Sequence, residues 1–267
     1  MRGLSHGEPR LPAPFTSPPS GGSSASCGDP PPIADPGASP DARKPRRAEP
    51  PLVALVGPTA SGKSELALYL AERLNGEIIN YDSVQVYRGL DIGSGKVRPA
   101  GRRRAAHHLL DVVEPGEVFT AGQYRRMALT ILADVRQRGM LPILAGGTGL
   151  YLRALLDGLF DGPTRSGDLR ARLRRMAGRR GPQALHRVLR RLDSKAAERI
   201  HPNDTHKVIR AVEVCLLARQ PVSALYARGR ERLQGFKVFK AGLNPRRAEL
   251  CERIDRRVES MFASGLL

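Results

Sequence analysis

The chain has 267 residues, 40% of them hydrophobic, which is enough for one large domain and a smaller appendage. Its 44 Lys and Arg outnumber 26 Asp and Glu, for a formal charge of +18. Such an excess favours a polyanionic partner, because each neutralised phosphate releases counterions, although an arginine-prone surface would give the same count. No apolar run approaches the ~20 residues that span a bilayer, and Pro9, Pro12 and Pro14 interrupt the start where a secretory signal needs an apolar stretch. On these features the chain reads as soluble, and its cysteine usage fits a reducing cytoplasm. Cys27, Cys215 and Cys251 share no metal or disulfide spacing; the last two fall among apolar helical residues and read as buried thiols.

Residues 1–50 hold 12 Pro, 6 Gly and 7 Ser without apolar periodicity, so the segment reads as a disordered extension. At Leu52 the texture changes. Leu52 to Val56 is a short apolar run of the kind a buried parallel strand shows. Glu65 to Leu74 follows as a helix with Leu66, Leu70 and Leu74 on one stripe, ended by Asn75-Gly76. Glu77 to Asn80 reads as a second strand, Val118 to Arg138 as a helix closed by Gly139, and Leu141 to Ala145 as a third strand. The alternation predicts right-handed βαβ crossovers and a parallel sheet.

Between Arg165 and Arg191 stand ten arginines and a single acid, Asp168, with apolar residues at helical spacing. This reads as a basic helical insertion. Asp204 is a candidate cap for a helix carrying Val208, Ile209, Val212 and Leu216. Gly235 to Leu243 looks like a returning strand, and Leu250, Ile254, Val258, Met261 and Phe262 mark a last helix. The expected organisation is an extension (1–50), a core domain (51–161), the basic insertion (162–200) and a return to the core (201–267).

The sharpest local signal is Gly57-Pro58-Thr59-Ala60-Ser61-Gly62-Lys63-Ser64, a full match to the phosphate-loop pattern, placed after a strand and opening a helix. Glycines let the chain wrap an anion, backbone N–H groups point inward, and the helix start adds positive potential. Lys63 is suited to neutralise phosphate oxygens, and the Ser64 hydroxyl to ligate Mg²⁺. The motif specifies a polyphosphate, as in nucleotide- and ATP-binding proteins, and names no reaction. The fold class is therefore α/β, a P-loop NTPase-like doubly wound parallel sheet with a helical basic insertion. Asp82 and Ser83 follow the second strand; since ligands sit at strand carboxyl ends, they should face the loop. On this reading Asp82 is a metal-holding carboxylate, a general base or a turn residue.

Further blocks carry a resemblance. Asp82-Ser83-x-Gln85-x-Tyr87, Asp91-Ile92-Gly93, His107-His108-Leu109, Gly146-Gly147-Thr148-Gly149-Leu150-Tyr151 and His201-Pro202-Asn203-Asp204 follow the phosphate loop in order. Together they are similar to tRNA dimethylallyltransferases of the bacterial type, from about Leu52 to the end of the chain. The resemblance implies a prenyltransferase whose loop holds dimethylallyl diphosphate, with Mg²⁺ assisting, and which alkylates the exocyclic N6 of the adenosine 3′ to the tRNA anticodon. It implies Asp82 as general base, Lys63 and Arg210 as cations for the diphosphate, and Thr148 beside the reacting base. It also implies tRNA contacts from Asp82, Ser83, Val84, Gln85, Thr148, Arg170, His206, Lys207 and Arg210, with the basic helices gripping the anticodon stem-loop and no partner subunit. Tyr87 would lie near the adenine. Two departures stand out: Thr205-His206-Lys207 replaces a pair ending in Arg, and the chain stops at Leu267 where the pattern continues, as a truncation would leave it. The rival readings are a P-loop kinase, whose lid the arginine-rich stretch would form, and a non-catalytic RNA-binding module.

Overall fold

The computed structural model describes residues 49–266. The first 48 residues, including Cys27, and Leu267 lie outside the described residues, and with them nearly all of the expected extension.

Strands β1 (Pro51–Val56), β2 (Gly76–Asn80), β3 (His107–His108), β4 (Leu141–Ala145) and β5 (Lys237–Gly242) form a parallel sheet in the order β3-β2-β4-β1-β5. Each strand side feeds a different core, as the two-residue period requires. Leu52, Ala54, Ile79 and Leu144 pack on one face, with Tyr124, Ala128 and Leu132 of α3 (Ala121–Gln137) and Leu152 and Leu155 of α4 (Gly149–Leu156). Leu55, Ile78, Ile143 and Ala145 pack on the other, against Ala67 and Ala71 of α1 (Lys63–Arg73). With helices on both faces, the expected doubly wound α/β architecture is what the chain adopts. No described helix is long and apolar enough to cross a membrane.

Several local expectations shift by a few residues, each for a physical reason. The first helix begins at Lys63, two residues before the expected start, because the phosphate loop itself forms its entry. Its most buried positions are Ala67 and Ala71 rather than the leucines, and Leu74 is exposed; small side chains let the helix axis approach the sheet. Asn75 takes the left-handed conformation that ends the helix, at φ 50°. Gly76 instead opens β2, where a Cβ would lie 2.9 Å from both Ile143 Cδ1 and the Leu141 carbonyl oxygen. The second helix starts at Ala121 and not Val118, because Thr120 and Gln123 form a reciprocal capping box. Cys215 is buried as expected, but Cys251 is exposed, since no described residue of α10 (Arg247–Ala263) is buried. The short strand β3 and the helix α2 (Pro99–Arg104) had no counterpart among the predicted elements.

After β4 and α4 come five helices, α5 (Gly167–Arg180), α6 (Pro182–Leu192), α7 (Ser194–Arg199), α8 (Thr205–Ala218) and α9 (Val222–Ala227). They build a core of their own from Leu173, Leu185, Leu189, Val208, Val212 and Leu225. Asp193 and Asp204 cap α7 and α8, each accepting from the backbone N–H three residues on. The helical core thus runs to about residue 225, past the point where a return to the sheet was expected, and β5 follows it.

Candidate active site

Because every strand of the sheet is parallel, the loops after β1, β2, β3, β4 and β5 leave from the same edge, where the crevice of such folds lies. An open cavity of about 1860 Å³ occupies that edge, well above the ~300–1,000 Å³ of a usual small-molecule pocket. Residues 59–65 of the phosphate loop and its helix form one wall. The turn after β1 is shaped by Gly57, where a Cβ would stand 2.6 Å from the Leu243 carbonyl oxygen; any side chain there would push β5's exit away. Ala60 and Gly62 both have positive φ, 62° and 94°, the left-handed turns by which a loop of this kind can present backbone N–H groups to an anion.

Lys63 is buried. Its Nζ donates to the carbonyls of Gly57 (2.9 Å) and Pro58 (2.6 Å) and to Ser61 Oγ (3.4 Å). The ammonium therefore closes its own loop while remaining at the cavity wall. Burial lowers its pKa, and the nearby Arg257 guanidinium lowers it further, against an opposing pull from Asp82. Ser64 is exposed beside it.

Asp82 stands across from the loop, at the end of β2. Its Oδ1 accepts from the N–H groups of Val84 (2.9 Å) and Gln85 (3.3 Å), which fixes the carboxylate at the start of a turn. Its Oδ2 is left facing Gly147, where an added Cβ would approach it to 2.8 Å. Gly146 is equally constrained, since a Cβ would lie 2.6 Å from the Tyr81 carbonyl carbon. The glycine pair after β4 is thus needed for the close passage of two strand exits. Thr148 ties the same exits together: its Oγ1 accepts from Ser83 N (2.8 Å), donates to Ser83 Oγ (2.9 Å), and its N–H reaches the Tyr81 carbonyl (3.2 Å).

Gln85 lines the cavity and donates to the carbonyls of Ser94 (3.1 Å) and Gly95 (3.4 Å). The loop it braces is anchored by Lys96, which the sequence did not single out. The Lys96 side chain is almost wholly buried, with Nζ 2.6 Å from both Asp91 Oδ1 and Asp111 Oδ1 and 2.7 Å from the Tyr87 carbonyl. Arg102 adds a bond to Asp111 Oδ2 at 2.7 Å. Burial pushes the Asp111 carboxyl upward, but the hydrogen bonds from Lys96 and Arg102 outweigh it and hold the group below its ordinary value. A lysine between glycine-rich turn residues gave no periodic signal; only its bonds to Asp91 and to the more distant Asp111 reveal its role.

The remaining expected residues lie elsewhere. Ser83, Val84, Thr148, Arg170, His206, Lys207 and Arg210 are not among the described residues that line the cavity. Arg170 and Arg210 meet on Glu213, a fully buried carboxylate of α8. Glu213 Oε2 takes Arg210 Nη1 at 2.8 Å and Arg170 Nη1 at 3.1 Å, while Oε1 accepts from Ser166 N at 2.9 Å. Arg210 Nη2 is also engaged, on the Pro163 carbonyl at 3.0 Å. His206 and Lys207 are exposed at the start of α8, with Lys207 Nζ 2.5 Å from Asp204. Arg172, Arg174 and Arg175 project into solvent from α5. The signal that could have found Glu213 is its setting, a single acid inside the apolar run Val212 to Cys215.

The fit of a divalent cation can be judged from the donors. Among the described residues no group of three or more His, Cys, Asp or Glu side chains could hold a metal by itself. The Ser64 hydroxyl and the Asp82 carboxylate do line the same cavity, and both are hard oxygen donors of the kind Mg²⁺ prefers when substrate phosphates and water complete its shell.

The family model described as IPP transferase matches residues 85–267. A tRNA dimethylallyltransferase of Solibacter usitatus is 57% identical over 217 residues, 81% of this chain and 70% of the relative. The crystal structure of the full-length tRNA isopentenylpyrophosphate transferase from Bacillus halodurans is 40% identical and superposes with a TM-score of 0.53, over 81% of this chain and 67% of that one. A eukaryotic dimethylallyltransferase captured acting on tRNA is 27% identical, with a TM-score of 0.71 over 82% of this chain and 54% of that one. On the length of the family match and the identity to its members, the chain belongs to the IPP transferase family of tRNA dimethylallyltransferases.

Proposed function

We propose that the chain transfers a dimethylallyl group from dimethylallyl diphosphate to N6 of the adenosine 3′ to the anticodon in tRNA, releasing diphosphate. The observation that carries this reading is the juxtaposition, inside a chain of this family, of a phosphate loop and a carboxylate held on the neighbouring strand exit. In the reaction the N6 lone pair attacks C1 of the dimethylallyl group, and the C1–O bond breaks with its electron pair passing to the diphosphate. The N6 proton passes to Asp82. An exocyclic amine is a weak nucleophile because its lone pair is delocalised into the ring, so a placed base lowers the barrier as the bond forms. Two backbone N–H groups hold Asp82 Oδ1, which leaves Oδ2 as the proton acceptor.

Lys63 and the loop amides neutralise the charge that grows on the departing diphosphate. Ser64 would hold Mg²⁺ together with the diphosphate oxygens, and the ion would supply further neutralisation there. Thr148 and Ser83 brace the base-binding side, and Gln85 stands beside them. His206 and Lys207, with the basic helices from α5 to α8 that Arg170 and Arg210 tie together on Glu213, serve the anticodon stem-loop, whose phosphates a basic surface grips while the reacting base is turned out of its stack. We place this activity in the cytoplasm and in a monomer.

The test is transfer of labelled dimethylallyl from its diphosphate to unmodified tRNA with Mg²⁺, beside an ATP-hydrolysis control. Label on the tRNA at that adenosine, with ATP untouched, is the expected result. ATP consumption without labelled tRNA would overturn it in favour of a kinase.

A further inference from the structure

The phosphate loop provides one wall of the cavity, and the opposite wall comes from a part of the chain that carries no recognised motif. Arg253, Arg256 and Arg257 of α10 line the cavity at the i, i+3, i+4 spacing that puts side chains on one helix face. Two of them have an acid one turn earlier: Arg253 lies 4.0 Å from Glu249 and Arg256 4.0 Å from Glu252. Arg257 has no carboxylate partner among the described residues, and it is the most buried of the three. Its Nη2 donates to the Ser94 carbonyl at 3.2 Å, the same oxygen that accepts from Gln85. Gly95 makes the approach possible, because a Cβ there would stand 2.2 Å from Nη2. The guanidinium is close enough to Lys63 to depress that ammonium's pKa.

Two like charges that line one cavity, one buried and one without a carboxylate partner among the described residues, repel each other until an anion enters between them. We infer that Arg257 is a diphosphate-binding residue, closing on the dimethylallyl diphosphate from α10 while Lys63 and the loop amides hold it from the other side. This rests on the reading of the cavity as the diphosphate site. One guanidinium donor pair is enough to grip an oxygen edge that the loop does not reach, and the planar fork suits a phosphate better than a second ammonium would. Arg210, the other arginine proposed for this charge, already spends both terminal nitrogens on Glu213 and the Pro163 carbonyl. Arg257 spends one, on a single carbonyl.

The experiment compares Arg257→Gln, Arg257→Lys and Lys63→Ala with the unaltered chain. It measures KM for dimethylallyl diphosphate, the inhibition constant of inorganic diphosphate, KM for tRNA and the thermal midpoint. Glutamine can still donate to the Ser94 carbonyl, so the turn is kept while the charge is lost. Arg257→Gln should raise both diphosphate constants together by about 10- to 100-fold, the range of a hydrogen bond to a charged group. Arg257→Lys should recover part of the loss, with KM for tRNA within about twofold and the thermal midpoint unchanged. Unaltered diphosphate constants in Arg257→Gln, while Lys63→Ala loses transfer, would overturn the assignment and leave the cavity reading intact. A rise confined to KM for tRNA, or a parallel loss of everything with a lowered midpoint, would overturn it as well. Normal transfer by Lys63→Ala would sink the cavity reading itself, and the assignment with it.

Discussion

Glu213 and Arg257 show two opposite uses of arginine within one basic chain. At Glu213, Arg170 and Arg210 converge on a carboxylate without solvent exposure, and the start of α5 is tied to the same group through Ser166. At the sheet edge, Lys63 and Arg257 face an open cavity with no carboxylate bonded to either among the described residues. A cation that already owns a buried counter-ion serves the architecture first; a cation held at a cavity wall without one is available to an anion. Net charge alone cannot separate the two, since every Lys and Arg counts alike toward the +18 of the sequence.

The largest expected effect tests the carboxylate at the cavity. Asp82→Asn keeps an oxygen to accept from Val84 and Gln85 but cannot take a proton. Turnover should fall by about 10²–10⁴, the usual contribution of a general base, with tRNA affinity nearly unchanged. A variant that binds tRNA poorly and turns over normally when saturated would remove Asp82 from the chemistry. The next effect belongs to the other side of the comparison. Glu213→Ala leaves two arginines without their counter-ion in the helical unit, which should cost about 3–5 kcal/mol, read from denaturant unfolding. A loss under about 1 kcal/mol would mean that the arginines find water instead, and the distinction between architectural and ligand-facing cations would weaken.

Asp111 lies between the two cases, a partly exposed carboxylate that serves both Lys96 and Arg102 at the cavity. Its folded pKa is depressed, so the stabilisation is complete above the unfolded value of about 3.9 and is lost as pH falls through the lower folded value. Stability should therefore decline on the acid side below about pH 4. Asp111→Asn should lower stability near neutrality and flatten that acid limb; an acid limb identical in the two proteins would place the lost protons elsewhere.

The sheet and the phosphate loop were legible in the sequence because both depend on local pattern. Leu52 to Val56 and Leu141 to Ala145 are apolar runs of strand length, and the loop glycines are spaced for one conformation. Asp82 could be placed for the same reason, as the first polar side chain after a strand. What could not be read depends on contacts between distant residues. Lys96 finds Asp111 across 15 positions and Arg257 finds Ser94 across 163, and no spacing rule connects them. The two-residue strand β3 pairs through Ile78 and Ile79, a register fixed by its neighbour rather than by any run of its own. The extent of the helical unit was hidden for a related reason: α8 is apolar enough to suit the sheet, and only its packing on Leu185 and Leu189 assigns it to the other core.

The smallest expected effect concerns a cation that belongs to neither class. Lys207 is exposed and paired at 2.5 Å with Asp204, which already caps α8 through the Lys207 N–H. Solvent screens such a pair, so Lys207→Ala should leave the thermal midpoint where it is. If Lys207 also meets a tRNA phosphate, its removal should lower the slope of log affinity against log salt by about 0.7–0.9, the release of one condensed counterion. The change should be uniform across tRNA sequences, because a phosphate contact carries no base information. An unchanged slope would show that Asp204 holds Lys207 in the complex as well, and would class it with the arginines on Glu213 despite its exposure. A reduced slope with an unchanged midpoint would instead mark α8 as an element whose buried face supports the fold while its exposed first turn meets the nucleic acid.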